Sequence, residues 1–405
     1  MRIPISIVMT AVAVCMSTSA WARTPALLEL KTKDKTYRGK LVAHNRNFCW
    51  LMDQAGRLNY LDLANVAEHR TVVPRFRCFS TAEIRNRVLR EFGGDYEVVG
   101  TGHYLVCAAR GQAGKYAPIF EDVYRSFHFY FSRRGFRMSQ PEFPLIAIVF
   151  PNHKRFAKYC KQDQITASAG LMGYYLPSTN RVALFDPGNA ALSENSQDPA
   201  TVAASPQFAK LFGPEDSHRP FPLLPVANLQ PQANLPWHGR IKGSLKDTII
   251  HETTHQVAFN TGLHSRIGAN PDWVVEGLAL VFEAPGIHDS TGSRAVKKRI
   301  NPERYIWFGN FAKTRRKQKS LAAFVGRDTM FQTATLDAYS QAWALSFYLM
   351  ETRPSKYSGY LKKIAQRDPL KAYPSKQRLA DFTDAFGKDL DWLEVEFLRF
   401  MKRLP

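Results

Sequence analysis

Leu245-Lys246-Asp247-Thr248-Ile249-Ile250-His251-Glu252-Thr253-Thr254-His255 opens one segment, and Trp273-Val274-Val275-Glu276-Gly277-Leu278-Ala279 follows it. His251 and His255 are four residues apart, so on a helix they project from one face, one above the other. This HExxH spacing lets both imidazoles reach a single tetrahedral ion at about 2.0–2.1 Å. Glu252 then points beside the ion, where a carboxylate takes a proton from a water whose pKa zinc lowers to roughly 7. The pattern needs a helix, and the sequence supplies one. Leu245, Ile249, Ile250, Val257 and Phe259 are its apolar neighbours, Ser244 or Asp247 caps its start, and Gly262 ends it after Thr261.

A second helix is expected from Pro271 and Asp272, both helix-start residues. Glu276 lies 21 residues after His255, far enough for the chain to turn and return antiparallel. A buried carboxylate facing two histidines is costly unless a cation neutralises it. The competing reading is an exposed first-turn glutamate favoured by the helix dipole. Other ligand sets fit less well. Metzincins place a glycine three residues and a ligand six residues after the second motif histidine, where this chain has Ala258 and Thr261. His264 is expected in an exposed loop, and His218, His238 and His288 at the surface.

Upstream, Leu28–Lys31, Tyr37–Val42, Phe48–Met52 and Leu58–Leu61 read as four short strands, with a turn at Asp53–Gly56. They predict an SH3-like barrel or a β-meander. Thr81–Glu91 and Ala117–Ser132 have helical spacing, Tyr96–Val99 and Tyr104–Cys107 form a hairpin, and Leu145–Phe150 is a buried strand. A second hairpin joins Gly173–Leu176 to Arg181–Phe185. Residues 187–243, rich in Pro, Ser, Asn and Gln, read as a long insertion. From Leu245 to Arg403 the pattern is mainly helical, and Leu379–Leu404 carries core-packing apolar spacing.

The 405 residues allow two or three domains, and no internal apolar run is long enough to span a membrane. Residues 1–22 read as an export signal: Arg2, an uncharged apolar core from Ile3 to Met16, then Ala20 and Ala22 in an A-x-A pattern. Cleavage near Ala22 implies a periplasmic or extracellular protein. It leaves Cys49, Cys78, Cys107 and Cys160, an even number that permits two disulfides in three pairings, or else buried free thiols. The formal charge is +20. Basic residues cluster at Arg294, Lys297, Lys298, Arg299 and Arg304, and again from Lys313 to Lys319. In an exported protein such clusters suit a solvated face or anionic cell-surface material, not nucleic acid.

His-Glu-Thr-Thr-His followed by Trp-Val-Val-Glu-Gly-Leu-Ala resembles the gluzincin clan of zinc peptidases, and specifically the peptidase MA-like families of bacteria, the DUF1570 group among them. The resemblance spans about residues 80–400, although only the two short motifs are specific. It implies one Zn2+ held by His251, His255 and Glu276, with Glu252 catalytic. Thermolysin-like members carry an acid four residues after the ligand glutamate to orient the first histidine. Here that position is Leu280, and Asp247 and Glu283 are the candidates to replace it. Gluzincins also place a Tyr or His on a later helix to stabilise the developing oxyanion. Tyr339, in Tyr339-Ser340-Gln341-Ala342-Trp343, is the candidate, a core tyrosine being the alternative. An edge strand just before the zinc helix commonly binds substrate, and Arg181–Phe185 occupies that place in chain order.

The expected fold class is therefore α+β. A β-module at 23–75 is followed by an α/β subdomain with an edge hairpin and long loop at 76–243. A helical, zincin-like, zinc-binding subdomain at 244–405 completes it. The expected activity is hydrolysis of peptide or protein substrate. An inactive binding protein on the same scaffold and an amidase acting on cell-wall peptides are the rival readings.

Overall fold

A computed structural model describes residues 25–168, 170–188, 245–287 and 295–405. The export segment, most of the 187–243 insertion, Ser244, His218, His238 and His288 lie outside the described residues. The chain divides into two units, one running to Ile84 and the other from Arg85 to Pro405.

In the first unit the short alternating runs form β1 (Leu27–Thr32), β2 (Thr36–His44), β3 (Phe48–Met52) and β4 (Leu58–Asp62). Each pairs antiparallel with the next. A fifth strand, β5 (Val66–Val73), pairs antiparallel with β1 and was not expected. The order β4-β3-β2-β1-β5 is a meander extended at one edge. Leu30, Cys49, Leu51 and Leu61 form its core.

The second unit begins within α1 (Thr81–Phe92). Its sheet holds β6 (Tyr96–Gly100), β7 (Tyr104–Ala109), β8 (Leu145–Phe150), β9 (Gly173–Leu176) and β10 (Arg181–Phe185). The order is β6-β7-β8-β10-β9. The three central strands are parallel and the two outer ones antiparallel to their neighbours. β8 is buried at every position, as a central parallel strand covered on both faces should be. One expectation needs correcting: Arg181–Phe185 is not the edge. β10 pairs with β8 on one side, and β9 takes the edge beside the helical region.

The helices are α2 (Ala113–Ser132), α3 (His153–Gln162), α4 (Leu245–Asn260), α5 (Asp272–Phe282), α6 (Pro302–Thr314) and α7 (Leu321–Gly326). After them come α8 (Thr329–Thr333), α9 (Thr335–Thr352), α10 (Pro354–Ala365), α11 (Ser375–Phe386) and α12 (Leu390–Arg403). α4 packs against α2, β9, β10 and α5, and α5 packs against α9. The α5–α9 approach is close because residue 277 is glycine. A Cβ there would lie 2.5 Å from the Ala342 carbonyl oxygen and would also strike Ser346. The fold is thus α+β: an N-terminal β-sheet region, a mixed region, then a helical C-terminal region.

Cys49, Cys107 and Cys160 are buried free thiols, so for these three the buried-thiol alternative holds. Burial pushes the Cys49 thiol up to about 11 and those of Cys107 and Cys160 to about 12. In the basic clusters Lys297, Lys298, Lys313, Lys317 and Lys319 are exposed, as a solvated face requires, while three arginines pair with acids. Arg299 meets Glu351 at 2.6 Å, Arg315 meets Asp337 at 2.7 Å, and Arg316 meets Glu394 at 2.8 Å. Among the described residues, no helix is long and apolar enough to cross a membrane.

Candidate metal centre

Every side chain of α4 from Thr248 to Phe259 is buried, and so is all of α5. Polar side chains on such helices must find partners in the interior. Most do. Thr254 Oγ1 donates to the Ile250 carbonyl at 2.7 Å, and Gln256 Nε2 to the carbonyls of Asn180 and Ile146 at 2.8 and 3.1 Å. Glu252 Oε2 accepts the Tyr175 amide of β9 at 2.8 Å.

His251, His255 and Glu276 converge differently. The two Nε2 atoms are 3.0 Å apart. Glu276 Oε2 lies 3.4 Å from His251 Nε2, and Oε1 lies 3.6 Å from His255 Nε2. Atoms bound to one tetrahedral ion at about 2.0–2.1 Å stand about 3.3–3.4 Å from one another. The three separations bracket that figure. Neither carboxylate oxygen of Glu276 has a hydrogen-bond partner, although the residue is only 1% exposed. An ionised carboxylate in that position is costly unless a cation meets it. The three residues form the one His/Cys/Asp/Glu group among the described residues whose ligand atoms could share a metal ion. Two imidazoles and one carboxylate are a donor set that zinc takes.

The orientation of His251 comes from a residue seven positions beyond Glu276. Glu283 Oε1 is 2.8 Å from His251 Nδ1, so Nδ1–H donates to it and Nε2 is turned toward the centre. Asn301 Nδ2 holds Glu283 in turn, donating to Oε2 at 2.9 Å and to the Leu280 carbonyl at 3.1 Å. Glu283 therefore fills the role that Leu280 leaves open, and it does so from the C-terminal cap of α5.

The pocket favours positive charge. Burial opposes a charged His251, but Glu276, Glu283 and Glu252 outweigh it and hold its pKa at about 10. Burial raises the Glu276 carboxyl, and His251 offsets this only in part. Asp272, one turn before Glu276, is pushed up to about 8 by burial and by the nearby Asp328 and Glu276. Tyr339 on α9 is buried and faces the same charges. Burial, then Glu276, then Glu252 drive its hydroxyl well above the usual 10, with Arg304 opposing them.

Residues 246–371 match the model of a family described as a protein of unknown function, DUF1570. No curated protein matches the chain. The DUF1570 segment runs from α4 past α10, so His251, Glu252, His255, Glu276, Glu283, Arg304 and Tyr339 all fall inside it.

His251, His255 and Glu276 come together, Glu252 lies within electrostatic reach of His251, and Tyr339 within reach of Glu276 and Glu252. One expectation fails: His264 is buried, not exposed. It packs edge-on to Phe259, and its Nδ1 is 2.9 Å from the Leu263 carbonyl oxygen. Burial lowers its pKa to about 4. Asn301 and Arg304 are partners that sequence reasoning missed. Neither has a spacing relation to the motif, and Arg304 stood out only as part of a basic cluster.

Proposed function

We propose that this protein is a zinc metallopeptidase of the gluzincin type, exported by the signal read at residues 1–22. The observation that carries the reading is the convergence of His251, His255 and Glu276, with Glu276 fully buried and making no hydrogen bond. A zinc ion bound by these three residues supplies Lewis acidity and lowers the pKa of water toward 7.

The protein's own groups do the rest. Glu252 takes a proton from the attacking water and delivers it to the leaving amine. The Tyr175 amide fixes that carboxylate through Oε2, so its orientation is set before substrate arrives. β9 is the sheet edge that touches Glu252, which makes it the strand along which an extended peptide aligns by strand addition. Tyr339 donates its hydroxyl proton in a hydrogen bond to the developing oxyanion, and its high pKa keeps that proton in place. Glu283 and Asn301 hold His251 in the tautomer that presents Nε2.

The test compares peptide-library hydrolysis by the zinc-loaded wild type and Glu252→Gln. The variant should keep its zinc and lose turnover by about 10²- to 10⁴-fold. Tyr339→Phe should lose about 10²- to 10³-fold. A zinc-replete wild type that cleaves no peptide, or equal rates in wild type and Glu252→Gln, would contradict the assignment.

A further inference from the structure

Arg304 is a buried charge that the hydrolytic centre leaves without a role. It sits in the first turn of α6, whose cap Asn301 accepts the Arg304 backbone N–H at 3.3 Å and also holds Glu283. The start of α6 is therefore tied through Glu283 to His251. The Arg304 side chain is 7% exposed, with its guanidinium carbon 6.0 Å from the centre of the Tyr339 ring. Its field reaches both Tyr339 and Glu276.

Other buried arginines of this unit each hold a carboxylate. Arg181 meets Glu91 at 2.7 Å, Arg299 meets Glu351 at 2.6 Å, and Arg316 meets Glu394 at 2.8 Å. Arg304 has only a longer one: its one ion pair among the described residues is a 3.4 Å contact with its exposed chain neighbour Glu303, and its Nε is buried with no hydrogen-bond partner, as are Arg181 Nε and Arg316 Nη2. A guanidinium out of water is stable only when something accepts its protons. Its planar fork fits a carboxylate through two parallel hydrogen bonds.

We propose that Arg304 binds a carboxylate of the substrate beside the metal centre, which makes anionic peptides the preferred substrate class. The proposal rests on the reading that this centre takes peptides. The carboxylate comes either from the C-terminus of the peptide or from an acidic side chain next to the bond that is cut.

The experiment uses zinc-loaded Glu252→Gln protein, so that bound peptide is not consumed, and titrates three peptides by calorimetry. One is neutral and amidated, the second is the same peptide with a free C-terminal carboxylate, and the third is amidated with one internal glutamate. One carboxylate-bearing peptide should bind at least tenfold tighter than the neutral one, and which one it is identifies the source. Arg304→Met should abolish the advantage. Arg304→Lys keeps the charge without the fork, and should retain only part of it. Thermal melting and zinc content establish that each variant is folded and loaded. Equal affinities for the three peptides, or a preference that survives both substitutions, would overturn the proposal. Hydrolysis by the wild type is measured separately: cleavage without any preference for carboxylates breaks the role of Arg304 alone, whereas no cleavage breaks the peptidase reading.

Discussion

Two histidine–glutamate clusters in the larger unit use the same residue types to opposite ends. Midway along α2, Glu121 is closed off by its neighbours. Thr101 Oγ1 donates to it at 2.7 Å, the His103 amide at 3.0 Å, His103 Nδ1 at 2.9 Å and Arg125 Nε at 3.2 Å. Burial raises the Glu121 carboxyl, but these bonds outweigh it and leave it below the usual range. At the α4–α5 centre, Glu276 is more deeply buried, has no hydrogen bond, and stays above its usual range. The first cluster is complete as it stands and ties a hairpin to a helix. The second brings three donor groups together and leaves the carboxylate unsatisfied, an arrangement that the proposed cation would complete. Satisfaction of the carboxylate, not the presence of histidine, separates the structural cluster from the candidate metal centre.

A third buried histidine marks the limit of that contrast. His264 has no carboxylate beside it, and its pKa falls to about 4. The native state therefore refuses a proton that the unfolded chain binds near pH 6.5. Its contribution is fully present above pH 6.5 and is lost as pH falls toward 4, up to about 3 kcal/mol at about 1.36 kcal/mol per unit. Denaturation of the wild type and His264→Gln across this range should show a steeper acid-side loss in the wild type. Equal slopes would mean that His264 is not buried in neutral form.

The next effect is smaller and acts on the closed cluster. Glu121→Ala should cost about 2 kcal/mol in denaturant unfolding, because it leaves several donors without their charged acceptor. It should leave zinc content at the wild-type level. Zinc loss in this variant would show that the two clusters are not independent. Smaller again, Glu283→Gln should weaken zinc binding about tenfold, or about 1.4 kcal/mol, in a competition titration against a chelator. Unchanged affinity would remove Glu283 from the orientation of His251.

The sequence was most legible where local pattern and structure share a period. β3, β8, β9 and β10 fall on the expected residues, because short apolar runs between turn residues mark a strand directly. α3 was not expected, although its buried residues Phe156, Tyr159 and Cys160 stand at i, i+3 and i+4, the spacing of a short helical stripe. β5 escaped because it is exposed along most of its length, so no alternation marks it. Sheet order was not legible at all. The parallel pairing of β10 with β8 is set by tertiary packing, and chain order placed the edge on the wrong strand of the hairpin. At the centre, i,i+4 spacing exposed His251 and His255, and helix return exposed Glu276. Glu283 was one of two candidates, and only coordinates could choose between them. Asn301 and Arg304 depend on where α6 docks, which no local spacing encodes.

The most direct test is metal analysis of the purified mature protein beside Glu276→Ala. Close to one zinc per chain is expected for the wild type, and substoichiometric zinc for a variant that still melts cooperatively. Equal zinc in both would contradict the three-residue centre, and with it the contrast between an open and a closed glutamate.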